Sequence, residues 1–468
     1  MAQTVLSVVV EVEPASAEVL RGRIAELKTA LSGDDTAGGE QYARLKAAVP
    51  ALHFMALTIF QDDQYDAILV LEANFDGAAG PFWAQLESAI GERLRDLLRC
   101  AKPPRDDDLA LFEAVTRDGS RAPVAPLLEA RTVRPAVFHQ GNRGLDRARI
   151  EEEGRLYAAV QAELDTGAYA PSVTADAIHA GLRATLAPGF PTLGQTPPPR
   201  VSAMENAADM ARLVGFALLV VLVLSVPGLI LSRLFAPVPV VLAAAAVSIP
   251  LFLALPGLGE LLPRLSLKLA AAGAVTVVVL VALFAAFGAL LPGPDSEPYS
   301  DRLRAWAVAF GLGLAWAAPT VLGVLVWLRG LERRDPPQDA PTLDPLEQRL
   351  IAAREDKIAQ NHMGSVVHLK PGVLRAVLIR AGLRGLGLLL RVTAHNGYLS
   401  SMRTIHFAHW GITGNGGRLM FFSNFDGSWE SYLDDFIEKA HPGLTLAWSS
   451  GIGFPPTRFL ILDGVRPG

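Results

Sequence analysis

Between residues 212 and 329 the chain runs through four stretches that contain no Asp, Glu, Lys, Arg or His: Leu213–Ser232, Leu234–Gly259, Leu269–Leu291 and Ala305–Leu328. They are 20, 26, 23 and 24 residues long. A helix rises about 1.5 Å per residue, so about 20 residues cross a hydrocarbon core ~30 Å thick. A buried helical core in a soluble domain is the alternative, and four such runs in succession exceed what that core needs. The expectation is therefore a four-helix membrane insert. The second run carries Pro237, Pro239, Pro250 and Pro256 and is parted from the first by Arg233 alone, so the pair reads as a tight hairpin or includes a re-entrant piece. Trp306 and Trp327 sit near the two ends of the fourth run, at the level where amphipathic rings favour the headgroups.

These runs explain a composition that would otherwise be odd. The chain is 468 residues long, 51% apolar and only 19% charged, with a mean hydropathy of +0.31. A net charge of −5 gives no concentrated basic face for nucleic acid. The single cysteine, Cys100, excludes an internal disulfide framework and a thiolate-rich metal site. The opening MAQTVLSVVVEVEP lacks the basic and apolar regions of a secretory signal. With no ionisable side chain inside the runs, the insert reads as an anchor rather than a transport path.

Four crossings would put both termini on the side that holds Arg200, Arg212, Arg264, Lys268, Arg329, Arg333 and Arg334, against Arg233, Arg302 and Arg304 on the other. The basic excess predicts an inner or plasma membrane protein with both termini cytoplasmic.

The segments on either side of the insert share a pattern. Leu52-His53-Phe54 returns as Ile405-His406-Phe407, and the string NFDG occurs at Asn74–Gly77 and again at Asn424–Gly427. A tryptophan follows each copy, Trp83 and Trp429. Upstream, the strand-like runs Val8–Glu13 and Val366–Lys370 end at Pro14 and Pro371 and lead into helical patterns reaching about Leu31 and Val392. Strands are expected at Ala51–Phe60 and Ala67–Phe75, and at Thr404–Thr413 and Arg418–Phe425. Helices are expected at Pro81–Arg99 and Ser428–Ala440, with last strands at Val133–His139 and Arg458–Asp463. The order βαββαβ, twice, is the ferredoxin-like unit. The expected fold class is α+β plus membrane helices: duplicated ferredoxin-like halves forming a pseudo-dimeric α+β barrel, separated by the four-helix insert. The boundaries are 1–145 for the first half, 146–211 for a helical and Pro-rich linker, 212–329 for the insert, 330–360 for a linker helix and 361–468 for the second half.

This arrangement resembles the dimeric α+β barrel superfamily in tandem form. The second half, through TIHFAHW (Thr404–Trp410), FFSNFDGSWESYLDDFIEKA (Phe421–Ala440), Trp448-Ser449 and Gly453-Phe454-Pro455, resembles a group of uncharacterised bacterial membrane-anchored proteins. The superfamily includes dye-decolourising peroxidases, chlorite dismutases and cofactor-free monooxygenases, so the resemblance makes haem a possible cofactor. The GxxDG string of dye-decolourising peroxidases is missing, and NFDG echoes only its last two residues.

Candidate site residues follow from the repeated motifs: His406, His409, Asn424, Asp426, Arg403, His53, Asn74 and Asp76. NFDG suits a turn and helix cap, or else the rim of a cavity where Asn424 and Asp426 meet a ligand. The histidines are either satisfied core residues or acid/base groups and haem ligands working near neutral pH. Strict alternation puts His406, Ala408, Trp410 and Ile412 on one strand face and Phe407 and His409 on the other. Arg403, Arg418 and Asp426 are read as a polar cluster. The stretch from His139 to Gly144 is either a turn or a polar loop at a cavity mouth. No dinucleotide or Walker-type phosphate motif is present, and no metal-ligand spacing. The function expected is a membrane-anchored module that binds a small apolar or lipid-derived molecule, with the lipid bilayer as partner and no nucleic acid. An oxidoreductase, haem-dependent or cofactor-free, acting on a hydrophobic substrate is the alternative.

Overall fold

Among its described residues this computed structural model contains eight strands in two four-stranded antiparallel sheets and, among its helices, three long and apolar enough to cross a membrane. It describes residues 3–31, 42–62, 65–167, 169, 173–194, 201–255, 267–291, 298–336, 344–355, 360–394, 399, 402 and 404–457. They fall into two compact units. One holds residues 1–207, 344–369 and 389–435, and the other holds 208–343, 370–388 and 436–468. The expected second half, 361–468, is thus shared between the units, and much of helix Val373–Thr393 groups with the apolar helices.

In the first unit, β1 (Gln3–Glu11), β2 (Leu52–Phe60), β3 (Ile68–Asp76) and β4 (Thr132–Val133) form a sheet ordered β2-β3-β1-β4. The second sheet is ordered β5-β7-β8-β6, from β5 (Val137–Gln140), β6 (Gln360–His368), β7 (Ile405–Ile412) and β8 (Arg418–Asp426). One strand expected over Val133–His139 is therefore two. Pro135 has no N–H to give a ladder and biases Arg134 toward an extended link. The chain leaves the first sheet at Val133 and joins the second at Val137, where β5 pairs with β7. The last expected strand, Arg458–Asp463, and Arg403 lie outside the described residues.

The outer face of the first sheet is covered by helix Ala79–Leu98. Phe75 stacks on Phe82 at 3.9 Å, and Trp83, Leu86 and Leu94 complete a dry core. The equivalent position on β8, Phe425, stacks on Tyr432 at 4.1 Å. The facing sides of the two sheets meet around Ile68, Val70, Met420 and Phe422, with Val9, Phe60 and Val366 packed against them. Gly364 of β6 is glycine because a Cβ there would sit 2.9 Å from the rings of both Phe422 and Phe60.

β7 departs from strict alternation. Between Ile405 and Phe407 its register against β8 shifts by one residue, and β2 makes the same shift against β3 between Leu52 and Phe54. A bulge places its extra residue on the side of its neighbour. His406 accordingly shares the inter-sheet side with Phe407 and His409, which corrects the assignment by alternation. Arg418 is also corrected. It begins β8, at the far end from Asp426, and lies 4.0 Å from Asp62 and over the Tyr65 ring.

In the second unit the apolar helices are Ala203–Leu234, Pro237–Leu253, Leu267–Ala289 and Tyr299–Glu332. The second of these has 17 residues, about 25 Å, and falls short of the span length that the other three reach. The expected 26-residue run is thus a shorter helix within the described residues. Trp316 Nε1 of the last helix donates to the Val240 carbonyl of the short one at 3.1 Å. Phe284 stacks on Phe310 at 4.2 Å, and Gly288 lies against the Trp306 ring. Gly313 packs against Ser225 and Leu229, small residues letting helices come close.

A Cβ at Gly228 would press into the Leu312 carbonyl and lie 2.8 Å from Gly313 Cα. Backbone atoms cannot swing aside, so Gly228→Val is expected to part these helices and lower stability by about 1–3 kcal/mol. A thermal melt in lipid nanodiscs checks this. An unchanged melting temperature would show the crossing to be looser than drawn.

Candidate functional site

Along β3 every second side chain faces the other sheet: Ile68, Val70, Glu72, Asn74, Asp76. Along β8 the matching series is Met420, Phe422, Asn424, Asp426. Each series passes from apolar, through buried polar, to an acid at the strand end. The polar site residues sit where these series change character.

At the strand ends lie two histidine–aspartate pairs. His53 Nε2 is 2.9 Å from Asp76 Oδ1, and His406 Nε2 is 2.8 Å from Asp426 Oδ1. Their surroundings match in detail. Each aspartate's N–H donates across the bulge at 2.9 Å, Asp76 to Ala51 and Asp426 to Thr404. Each is followed by a glycine with positive φ, 89° at Gly77 and 92° at Gly427, a turn that a side chain would strain. The carbonyls of these glycines accept from Thr4 Oγ1 and Asn361 Nδ2.

Each imidazole rests on a phenylalanine from the other sheet. The His53 and Phe407 centroids are 5.3 Å apart, those of Phe54 and His406 5.7 Å, and the two phenylalanines meet at 5.8 Å. These four side chains wall a cleft of about 300 Å³, closed by Lys46, Asn142, Arg147, Ile150, Glu151 and Gln360. That size is at the lower end for small-molecule sites, and aromatic walls with a few polar groups are their usual lining.

The two pairs differ in exposure. The side chains of His53 and Asp76 are 5% and 8% exposed, those of His406 and Asp426 24% and 45%. Asp76 also accepts from the backbone N–H of Arg147 at 2.8 Å, in the first turn of helix Arg147–Asp165, where the helix dipole favours an anion. Arg147 holds Glu151 at 2.6 Å and the Lys46 carbonyl at 3.1 Å. The chain after β5 lies along the cleft. Gly141 N–H donates to the His406 carbonyl at 2.7 Å, and Asn142 is part of the lining. A Cβ on Gly141 would stand 2.8 Å from the Ile405 carbonyl and 3.0 Å from that of His406. Gly141→Ala should push the bulge away and cost about 1–3 kcal/mol of stability. An unchanged melting temperature would count against this placement of His406.

Behind the cleft, between the sheets, is a polar centre that is buried except at His362. Ser7 Oγ is 2.8 Å from His409 Nε2, and Asn74 Nδ2 donates to Glu72 Oε1 at 2.6 Å. His362 Nδ1 is 3.1 Å from Asn424 Oδ1 and 3.4 Å from Glu72 Oε2. Burial pushes the Glu72 carboxyl above its usual range, while His362 and the amides of Asn74 and Asn424 pull it back in part. Burial, with His362 nearby, holds His409 down at about 3. His139, on β5, is buried with neither ring nitrogen bonded among the described residues, and desolvation lowers it to about 4.

The residues singled out in sequence thus divide. His53, Asp76, His406 and Asp426 flank the cleft. Asn74, Asn424 and His409 belong to the buried centre. Glu72, Ser7 and His362 were missed. A charged residue inside the apolar run Ile68–Phe75 was the available signal for Glu72, because an acid there needs a buried partner. Among the described residues no group of three or more His, Cys, Asp or Glu side chains is placed to hold a metal ion. The chain finds no match among protein-family models, curated proteins or solved structures.

Proposed function

We propose that this chain is a multi-pass membrane protein whose α+β part is a duplicated ferredoxin-like pair, closed into one barrel, that binds a small apolar or lipid-derived molecule in the cleft between its two histidine–aspartate pairs. The cleft carries this reading. It has an aromatic floor for an apolar body and a rim of Lys46, Arg147, Gln360 and Asn142 for a polar end. The duplication is supported by the matched bulges, histidine–aspartate bonds, glycine turns and carbonyl acceptors, details that two unrelated sheets have no reason to share.

Four crossings with both termini on the basic, cytoplasmic side are supported by the helix contacts. Gly228 lies 15 residues into the first apolar run and meets Leu312, which is 16 residues before the end of the last. Equal depth at these points fits the start of the first helix lying level with the end of the last, as an even number of crossings would give. A reporter that is active only in the cytoplasm, fused at the C-terminus, should be active. Activity confined to the outer side would refute the orientation.

An oxidoreductase is the second reading. Its support is an imidazole backed by a carboxylate in a walled cleft, the arrangement of an acid/base group. The lining holds no Ser, Thr or Cys nucleophile among the described residues. His406 Nε2 is engaged by Asp426, so a haem would have to be met by Nδ1. Thermal shifts against a panel of long-chain fatty acids and aromatic acids test the binding reading. A ligand at about 100 times its Kd stabilises by about 2.7 kcal/mol. No shift for any compound, together with a Soret band on haemin addition that His406→Ala abolishes, would favour the alternative.

A further inference from the structure

Helix Val373–Thr393 carries Arg375, Arg380, Arg384 and Arg391 and no acidic residue. Its buried face presents Arg375, Ile379 and Leu383. On the opposite face Val373, Val377, Arg380 and Arg384 fall within about 60° of arc at 100° per residue. All four are exposed, the valines at 81% and 57%. Among the described residues neither Arg380 nor Arg384 has an acidic partner. Arg380 turns back to the Ala376 carbonyl of its own helix at 3.0 Å.

The helix is tied down at two points. Near its start, Arg375 Nη2 meets both carboxylate oxygens of Asp335 at 2.8 Å, and Lys370 Nζ lies 3.1 Å from the same group. Asp335 follows directly on the end of helix Tyr299–Glu332. Ten residues later, about 15 Å along the axis, Gly385 lies so close to the Phe216 ring that a Cβ would be 3.1 Å from it. Phe216 is three residues past Leu213, where the apolar run of the first helix begins. The helix therefore runs beside the ends of two candidate spans, with Asp335 seven residues past one apolar run and Phe216 three residues inside the other.

We propose that Val373–Thr393 is an interfacial helix whose Val373, Val377, Arg380 and Arg384 face seats on an anionic lipid surface. The valines enter the acyl boundary, and the arginines meet phosphate and carboxylate headgroups. Charge complementarity favours an anionic leaflet over a zwitterionic one, and the two tethers hold the face at bilayer depth. This inference rests on the spanning reading above, and the test separates the two.

The full chain is reconstituted in phosphatidylcholine vesicles with and without phosphatidylserine. In a Cys100→Ala background, a bimane label is placed singly by Val377→Cys, by Val278→Cys on the exposed side of helix Leu267–Ala289, and by Tyr157→Cys on the exposed side of helix Arg147–Asp165. Spin-labelled lipid should quench the labels at 278 and 377, and aqueous iodide the one at 157. Adding Arg380→Gln and Arg384→Gln should weaken seating about fivefold per arginine in phosphatidylserine vesicles, and little in phosphatidylcholine alone. A label at 377 as open to iodide as that at 157, with 278 still quenched by lipid, overturns the inference and leaves the spans standing. A label at 278 untouched by lipid overturns the spans and the inference together. Equal seating in both vesicle types, unchanged by the glutamines, overturns the recognition of anionic lipid.

Discussion

Acidification from pH 6.5 to pH 4 should strip several kcal/mol from the stability of the α+β part. Two buried imidazoles drive the loss. His139 and His409 are held at about 4 and about 3 in the fold, against 6.5 when solvated. Both pKa values are depressed, so the unfolded chain takes up protons first. The contribution is complete above pH 6.5 and falls away as the pH drops toward the folded values. Each such proton costs about 1.4 kcal/mol per pH unit, so each histidine accounts for about 3 kcal/mol over this window. Glu72 acts in the opposite sense. Its carboxyl is raised by burial, so stability is lost as the pH climbs above the ordinary carboxylate range. Above the ordinary carboxylate range Glu72 offsets part of the histidine loss over this window.

Melting temperatures in nanodiscs from pH 8 to pH 4 should show the fall, and His139→Leu should remove about half of it. At neutral pH the same substitution should also stabilise by about 1–3 kcal/mol, because two unbonded buried nitrogens disappear. A flat profile, or an acid slope untouched by His139→Leu, would mean that these imidazoles are reached by water.

The two histidine–aspartate pairs should part company when broken. His53→Ala removes a nearly buried partner from Asp76 and leaves that carboxylate with the Arg147 N–H as its hydrogen-bond donor among the described residues. Leaving a buried carboxylate short of a hydrogen bond costs about 1.5–3 kcal/mol. His406→Ala breaks a bond at the open end of the cleft, where water can replace the lost partner and the bond is worth about 0.5 kcal/mol. Stability should therefore fall sharply for His53→Ala and hardly at all for His406→Ala, while ligand binding fails in both. Equal losses of stability would show that exposure does not distinguish the pairs. A stable His53→Ala protein would show that Asp76 is held by the helix terminus alone.

Much of this was legible in the chain itself. The apolar runs marked the three helices long and apolar enough to cross a membrane, since length without charge has few other uses. NFDG and the aromatic–histidine pairs marked both ends of the cleft, because a strand end and its glycine turn lie close in sequence. The capping part of that reading fails, since Asp76 and Asp426 bond to histidines and the helix after the first copy has Ala78 at its N-cap, with no side-chain cap. Three features were not legible, each for a physical reason. The bulges at His53 and His406 invert a face by inserting one residue, which a pattern of period two cannot reveal. The division of Val133–His139 between two sheets depends on which edge is open to receive β5, a tertiary property. β6 begins at Gln360, well before the apolar Val366, because ladder pairing with β8 carries the strand through its polar residues; the exposed His362 meets Asn424 and Glu72 there.

The central claim is that the cleft between the two histidine–aspartate pairs holds a small molecule. Native mass spectrometry of the full chain released from nanodiscs tests it most directly. The wild-type chain should carry one non-covalent small molecule that survives delipidation, and Phe407→Trp, which fills the cleft, should lose it while still folding. A wild-type mass equal to that of the bare chain, or a bound molecule retained equally by Phe407→Trp, would contradict the claim.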